Sequence, residues 1–128
     1  MIYDKAYELA RSLAESKEYQ AFLTAKKNVQ EDEAAFRMLA DFRRHQVELQ
    51  ARQMMGETIS EDKLGRLHQL VELMQHKQNV QAFLETEERL GRVMADIHRI
   101  LGEGIKEWFD FTEFLNDLAG VNELEESE

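Results

Sequence analysis

Imidazoles ligate metals and move protons near neutral pH, so the four histidines, His45, His68, His76 and His98, are weighed first. A di-iron helical bundle requires Glu-x-x-His on two helices. The residues three before these histidines are Phe42, Gly65, Leu73 and Ala95, so that motif is absent. Glu72 and His76 stand one helical turn apart, with His68 two turns before His76 on the same face. His68, Glu72 and His76 therefore make the one metal-binding or enzymatic alternative that the histidines offer. Asp96 and His98, two apart, point from different helix faces and make no dyad. Glu87 interrupts an apolar stripe, either as a buried proton-holding acid or as a stripe-edge acid paired with an arginine. Nucleophiles are scarce. The serines are Ser12, Ser16, Ser60 and Ser127, without G-x-S-x-G, and there is no Walker A sequence. Gly102-Glu103-Gly104 has no strand before it and carries no phosphate-binding weight. Zero cysteines exclude disulfides, thiolate nucleophiles, Cys-ligated zinc and iron–sulfur clusters. No cofactor is expected, and no catalytic or metal-ligating residue is assigned.

Charge narrows the partners. The formal charge is −10. Residues 1–55 balance nine Lys/Arg against nine Asp/Glu, whereas residues 56–128 carry seven against seventeen. Such a surface repels phosphate backbones, which makes direct nucleic-acid binding unfavourable. The pairs Lys26-Lys27 and Arg43-Arg44 are the small basic clusters an RNA-binding accessory would have to use. No apolar run approaches the roughly 20 residues that span a bilayer. The opening Met1-Ile2-Tyr3-Asp4 lacks the basic and apolar regions of a signal peptide, which predicts a cytoplasmic protein.

The elements that would position these residues are helices. Proline is absent, only six glycines occur, and period-two alternation is missing. Leu64, Leu67, Val71 and Met74 recur at intervals of 3, 4 and 3, and Met38, Phe42, His45 and Leu49 keep a similar beat. Val80, Phe83, Glu87, Leu90, Met94, Ile97 and Leu101 extend it through a longer segment. The pattern predicts an elongated antiparallel all-α bundle of four to six helices, the long ones near 33–55 and 80–101. Ser16, Asp32, Ser60 and Asn79 are the candidate N-caps, and Gly56 a left-handed C-terminal cap. Gly102 and Gly104 predict an interruption before a last helix near 105–118. One domain over 1–118 and an acidic disordered tail over 119–128 complete the expected organisation.

Several apolar residues lie off the stripes: Leu70, Leu73, Leu84, Val93 and Ile100, with Phe109, Phe111 and Phe114 around Trp108. They describe either a wide core face or a second interface for self-association. Trp108-Phe109-Asp110-Phe111 reads first as core packing and second as a docking site. The expected oligomer interface comprises Leu70, Leu73, Leu84, Val93, Ile100 and Trp108, in a homodimer or higher homo-oligomer.

Four stretches are similar to a known family. Asp41-Phe42-Arg43-Arg44-His45-Gln46 leads into Leu49-Gln50-Ala51-Arg52-Gln53-Met54-Met55-Gly56-Glu57. With Tyr3-Asp4-Lys5-Ala6-Tyr7-Glu8-Leu9-Ala10 and Asn79-Val80-Gln81-Ala82-Phe83-Leu84-Glu85, this resembles the YlbF/YmcA family, and its YheA-like members most. Phe42, Gln46, Gln50, Gln53 and Gly56 carry the pattern. The resemblance covers about residues 1–108. It implies an all-α fold that dimerises and a non-catalytic regulatory or adaptor protein of Gram-positive bacteria. It further implies protein partners among RNase Y-associated regulators, in control of competence, sporulation or biofilm formation through RNA decay. Members linked to an iron–sulfur cluster use cysteines, which this chain lacks.

Overall fold

Helix signals that are local in sequence act where they stand. In the computed structural model, the backbone is described over residues 1–126 and side chains over residues 1–120. Six helices and no strand occur among the described residues: α1 (Ile2–Glu15), α2 (Lys17–Gln30), α3 (Glu33–Met54), α4 (Glu61–Gln75), α5 (Gln78–Gly104) and α6 (Lys106–Glu126). The chain divides into two compact units, Met1–Leu90 and Gly91–Glu128.

In the first unit three side chains start three helices. Ser16 Oγ accepts the Tyr19 amide (3.2 Å) and donates back to the Leu13 carbonyl (2.7 Å), so one residue both ends α1 and begins α2. Asp32 accepts from the Ala35 amide, and Ser60 from that of Lys63. Gly56, at φ 74°, closes α3. Its amide donates to the Gln53 carbonyl and that of Glu57 to the Arg52 carbonyl, the paired hydrogen bonds of a Schellman motif. Asn79 does not cap. Helix α5 already begins at Gln78, and the Asn79 amide reaches Asp32 across 2.9 Å instead.

Neighbours in sequence pack on each other: α1 on α2, α2 on α3, α3 on α4. Two polar links fix the last pair as antiparallel. Asp32, at the start of α3, holds Lys77 beyond the end of α4, while Glu48, late in α3, holds Lys63 in its first turn. The core is small. Ala25, Val29, Ala35, Met74 and Val80 are the buried apolar residues. Met38, Leu39, Phe42, Leu70, Phe83 and Leu84 pack around four of them. Buried alanines and valines are small enough to let helices pack closely, and each buried valine contributes roughly 1.5–3 kcal/mol.

In the second unit α5 runs through Gly102 to Gly104 without a break, and α6 starts after Ile105. Neither glycine adopts positive φ, so the predicted interruption shrinks to one residue. Trp108 and Phe109 donate their amides to the Ile105 carbonyl, which carries the turn. The last helix, expected to stop near 118, continues to Glu126; residues 127–128 of the expected tail lie outside the described residues.

Candidate functional site

The residues with chemistry are dispersed. His68, Glu72 and His76 all lie exposed at α4 or its C-cap. Among the described residues no three His, Cys, Asp or Glu come together as a metal site. Asp96 pairs with Arg99, and His98 tilts against the Phe109 ring at 6.4 Å. Glu87 is the stripe-edge acid: Arg43 Nη2 donates to both of its oxygens, at 2.6 and 2.9 Å. Arg44 likewise pairs with Asp41 at 2.6 Å. Two of the four cations available to an RNA-binding accessory are thus held by acids, and nothing in the arrangement favours that reading.

Two carboxylates are tuned, and both serve the fold. Lys77 (2.8 Å), Asn79 and the Ala35 amide donate to Asp32 and hold its carboxyl far below the usual carboxylate range. Glu48 is lowered by Lys63, which hydrogen-bonds it and attracts it electrostatically, and more weakly by Arg52. Each locks α3 to a neighbouring segment.

What remains open is apolar surface. A groove of about 400 Å³ in the first unit is walled by Phe22, Val29, Phe36, Leu39 and Phe83 from α2, α3 and α5. Lys26 and the Arg43–Glu87 pair stand at its edge. The rings of Phe22 and Phe83 meet at 5.6 Å across it. Helix α1 has no buried residue, although Ile2, Tyr3, Ala6, Tyr7, Leu9, Ala10 and Leu13 form one apolar face. Ile2, Tyr3 and Tyr7 are 83%, 78% and 70% exposed. No residue of this face is distinctive singly; its signal in the sequence is helical spacing.

The six residues expected at an oligomer interface separate. Leu70 and Leu84 pack on their own core, and Val93 is half-buried. Leu73, Ile100 and Trp108 are exposed. Trp108 and Phe111 do not form a core, being 60% and 62% exposed. Of the family-pattern residues, Phe42 packs on the core and Gly56 makes the turn. Gln46, Gln50 and Gln53 line a shallow exposed depression along α3.

Fold and surface together define a small all-α protein whose open features are apolar helix faces. The profile of the family described as "Control of competence regulator ComK, YlbF/YmcA" matches residues 2–106. A UPF0342 protein of Alkalihalophilus pseudofirmus is 38% identical over 106 residues, covering 83% of this chain and 90% of that protein. One of Symbiobacterium thermophilum is 34% identical over 111 residues, covering 87% and 99%. The chain belongs to the YlbF/YmcA family. Solved structures share the fold. A DUF964 protein from Bacillus stearothermophilus has a TM-score of 0.69 at 24% identity, covering 83% of this chain and 93% of that one. Bacillus subtilis RicA in complex with RicF has a TM-score of 0.58 at 18% identity, covering 83% and 94%. No helix among the described residues is long and apolar enough to cross a membrane.

Proposed function

We propose that this chain is a non-catalytic regulatory adaptor that self-associates and binds protein partners. One observation carries the reading: an amphipathic helix with no buried residue and an open apolar groove belong to the same chain. In an isologous pair, α1 of each copy lies in the groove of the other, so both open surfaces are covered twice over. Each of Ile2, Tyr3, Tyr7 and Leu9 contributes roughly 1.5–3 kcal/mol when buried. Doubled by symmetry, that is of the same order as the roughly 4–15 kcal/mol entropic cost of association. Leu70 and Leu84 leave the interface, since they already serve their own core.

Family membership supports the regulatory part of the reading, and RicA has been seen in complex with RicF. By the same resemblance the partners are RNase Y-associated regulators, and the setting is cytoplasmic control of competence, sporulation or biofilm formation through RNA decay. Light scattering on the purified protein is expected to give twice 15.0 kDa. The same preparation is expected to co-elute with a purified RNase Y-associated regulator from its own host. A stable monomer that binds no such regulator would overturn the proposal.

A further inference from the structure

Helix α6 presents a second open face. Trp108, Phe111, Phe114, Leu115 and Leu118 are 60%, 62%, 56%, 48% and 45% exposed, and helical spacing puts them on one side. None of residues 91–120 is buried, so no described side chain of this unit covers that side. The ring of Phe109 tilts against that of His98 (6.4 Å) on the side of Gly102, where an added Cβ would only just touch it, and Trp108 stands edge-on against it at 4.8 Å. The indole is therefore presented by a braced neighbour. Glu107 and Asp110 share one open depression with Trp108, Phe111 and Phe114. Residues 107–120 contain four acids and no Lys or Arg. The family profile stops at residue 106, so this surface lies past the matched region.

We propose that this face docks a basic amphipathic segment of another protein. Its apolar side chains cover Phe111, Phe114 and Leu115, while its Lys or Arg groups lie over the Trp108 ring and against Glu107 and Asp110. Aromatic faces and carboxylates both attract cations, and here they occupy one depression. A second copy of α6 fits badly. Face to face, it would set Glu107 and Asp110 against their own copies, with Lys106 as the one cation of α6 against four acids in residues 107–120. An anionic membrane or a nucleic acid is repelled for the same reason. The inference rests on the partner-binding reading above but uses a different surface from the α1 groove.

The chain's single tryptophan is the probe. The full-length protein is titrated with a synthetic amphipathic helix of Leu and Lys. Controls are a Leu/Glu helix of the same pattern, a Leu/Lys peptide scrambled to destroy its apolar face, and phosphatidylcholine vesicles. Only the amphipathic basic helix is expected to shift Trp108 emission to shorter wavelength, saturably, and added salt is expected to weaken it. The double variant Glu107→Lys/Asp110→Lys is expected to bind at least about tenfold more weakly, the loss of a close charge pair. The double variant Phe111→Ser/Phe114→Ser keeps every charge and is also expected to lose binding, followed by calorimetry. Undiminished binding by that variant reduces the effect to bulk charge and overturns the proposal. So does an equal response to the acidic helix, the scrambled peptide or the vesicles, or a dimer that the Phe111→Ser/Phe114→Ser variant dissociates. Failure here alongside an intact α1-dependent dimer removes the α6 site and leaves self-association standing.

Discussion

Asp32 shows how much one carboxylate settles. It caps α3 through the Ala35 amide and gathers Lys77 and Asn79 from the α4–α5 junction, tying together segments 45 and 47 residues apart in sequence. Folding depresses its pKa from an ordinary 3.8. The stabilisation is therefore complete above the usual carboxylate range and is lost as pH falls through it toward the lower folded value. Glu48, lowered by Lys63, acts with the same sign. Asp32→Asn retains an oxygen to cap α3 but loses the charge that holds Lys77. The variant is expected to be less stable than wild type at pH 7 and to show a flatter decline between about pH 5 and pH 3, where carboxylates titrate. Urea denaturation across that range measures both, and parallel curves would reject the assignment. Ser16 is the comparable hinge between α1 and α2. Ser16→Ala is expected to cost about 0.5–2 kcal/mol, the usual loss of an N-cap, and an unchanged urea midpoint would count against it.

At the scale of elements, what the sequence discloses depends on how local the deciding physics is. Ser16, Asp32, Ser60 and Gly56 were legible because a cap bonds to amides or carbonyls a few residues away. Asn79 was misread for the complementary reason. Its amide answers to Asp32, a partner that no local pattern reveals. The break that Gly102 and Gly104 announced is there, narrowed to Ile105 just past Gly104, while Gly102 itself stays helical, since a glycine weakens a helix without having to end it. The stripes were legible as stripes, but the division between core and open surface was not. Leu70 and Leu84 looked like surplus and pack on the core, while Trp108, which the sequence offered both as core packing and as interface, is exposed. Periodicity gives a helix its apolar side and says nothing about whether another helix arrives there. Val80, fully buried at the start of α5, and Leu73, 56% exposed on α4, make that distinction measurable. Val80→Ala is expected to cost about 1–3 kcal/mol through lost burial and the cavity left behind. Leu73→Ala is expected to stay within about 0.5 kcal/mol, as surface substitutions do. Equal losses in thermal denaturation would mean that Leu73 is covered in solution.

For the whole molecule the question is what a chain with so few buried residues gains from a second copy. Val29, Ala35, Met74 and Val80 centre the core of the first unit, and α1 adds no buried residue to it. A helix of 14 residues is marginal in water unless tertiary packing covers its apolar face. The groove walled by Phe22, Phe36 and Phe83 is the surface of the first unit with the matching need. If α1 of a partner fills it, folding and association are linked, and the melting temperature rises with protein concentration. Tyr7→Glu puts a charge in the middle of the α1 face, and Phe36→Glu puts one in the groove wall. Neither residue is buried in its own chain, so neither change opens a cavity there. Each variant is expected to remain helical by circular dichroism, to melt at a lower temperature, and to lose the concentration dependence. Phe114→Ser, on α6, is expected to keep it. Wild-type melting independent of concentration over a hundredfold range would sink the dimer. Concentration dependence that survives in Tyr7→Glu and Phe36→Glu would keep the dimer and move its interface elsewhere.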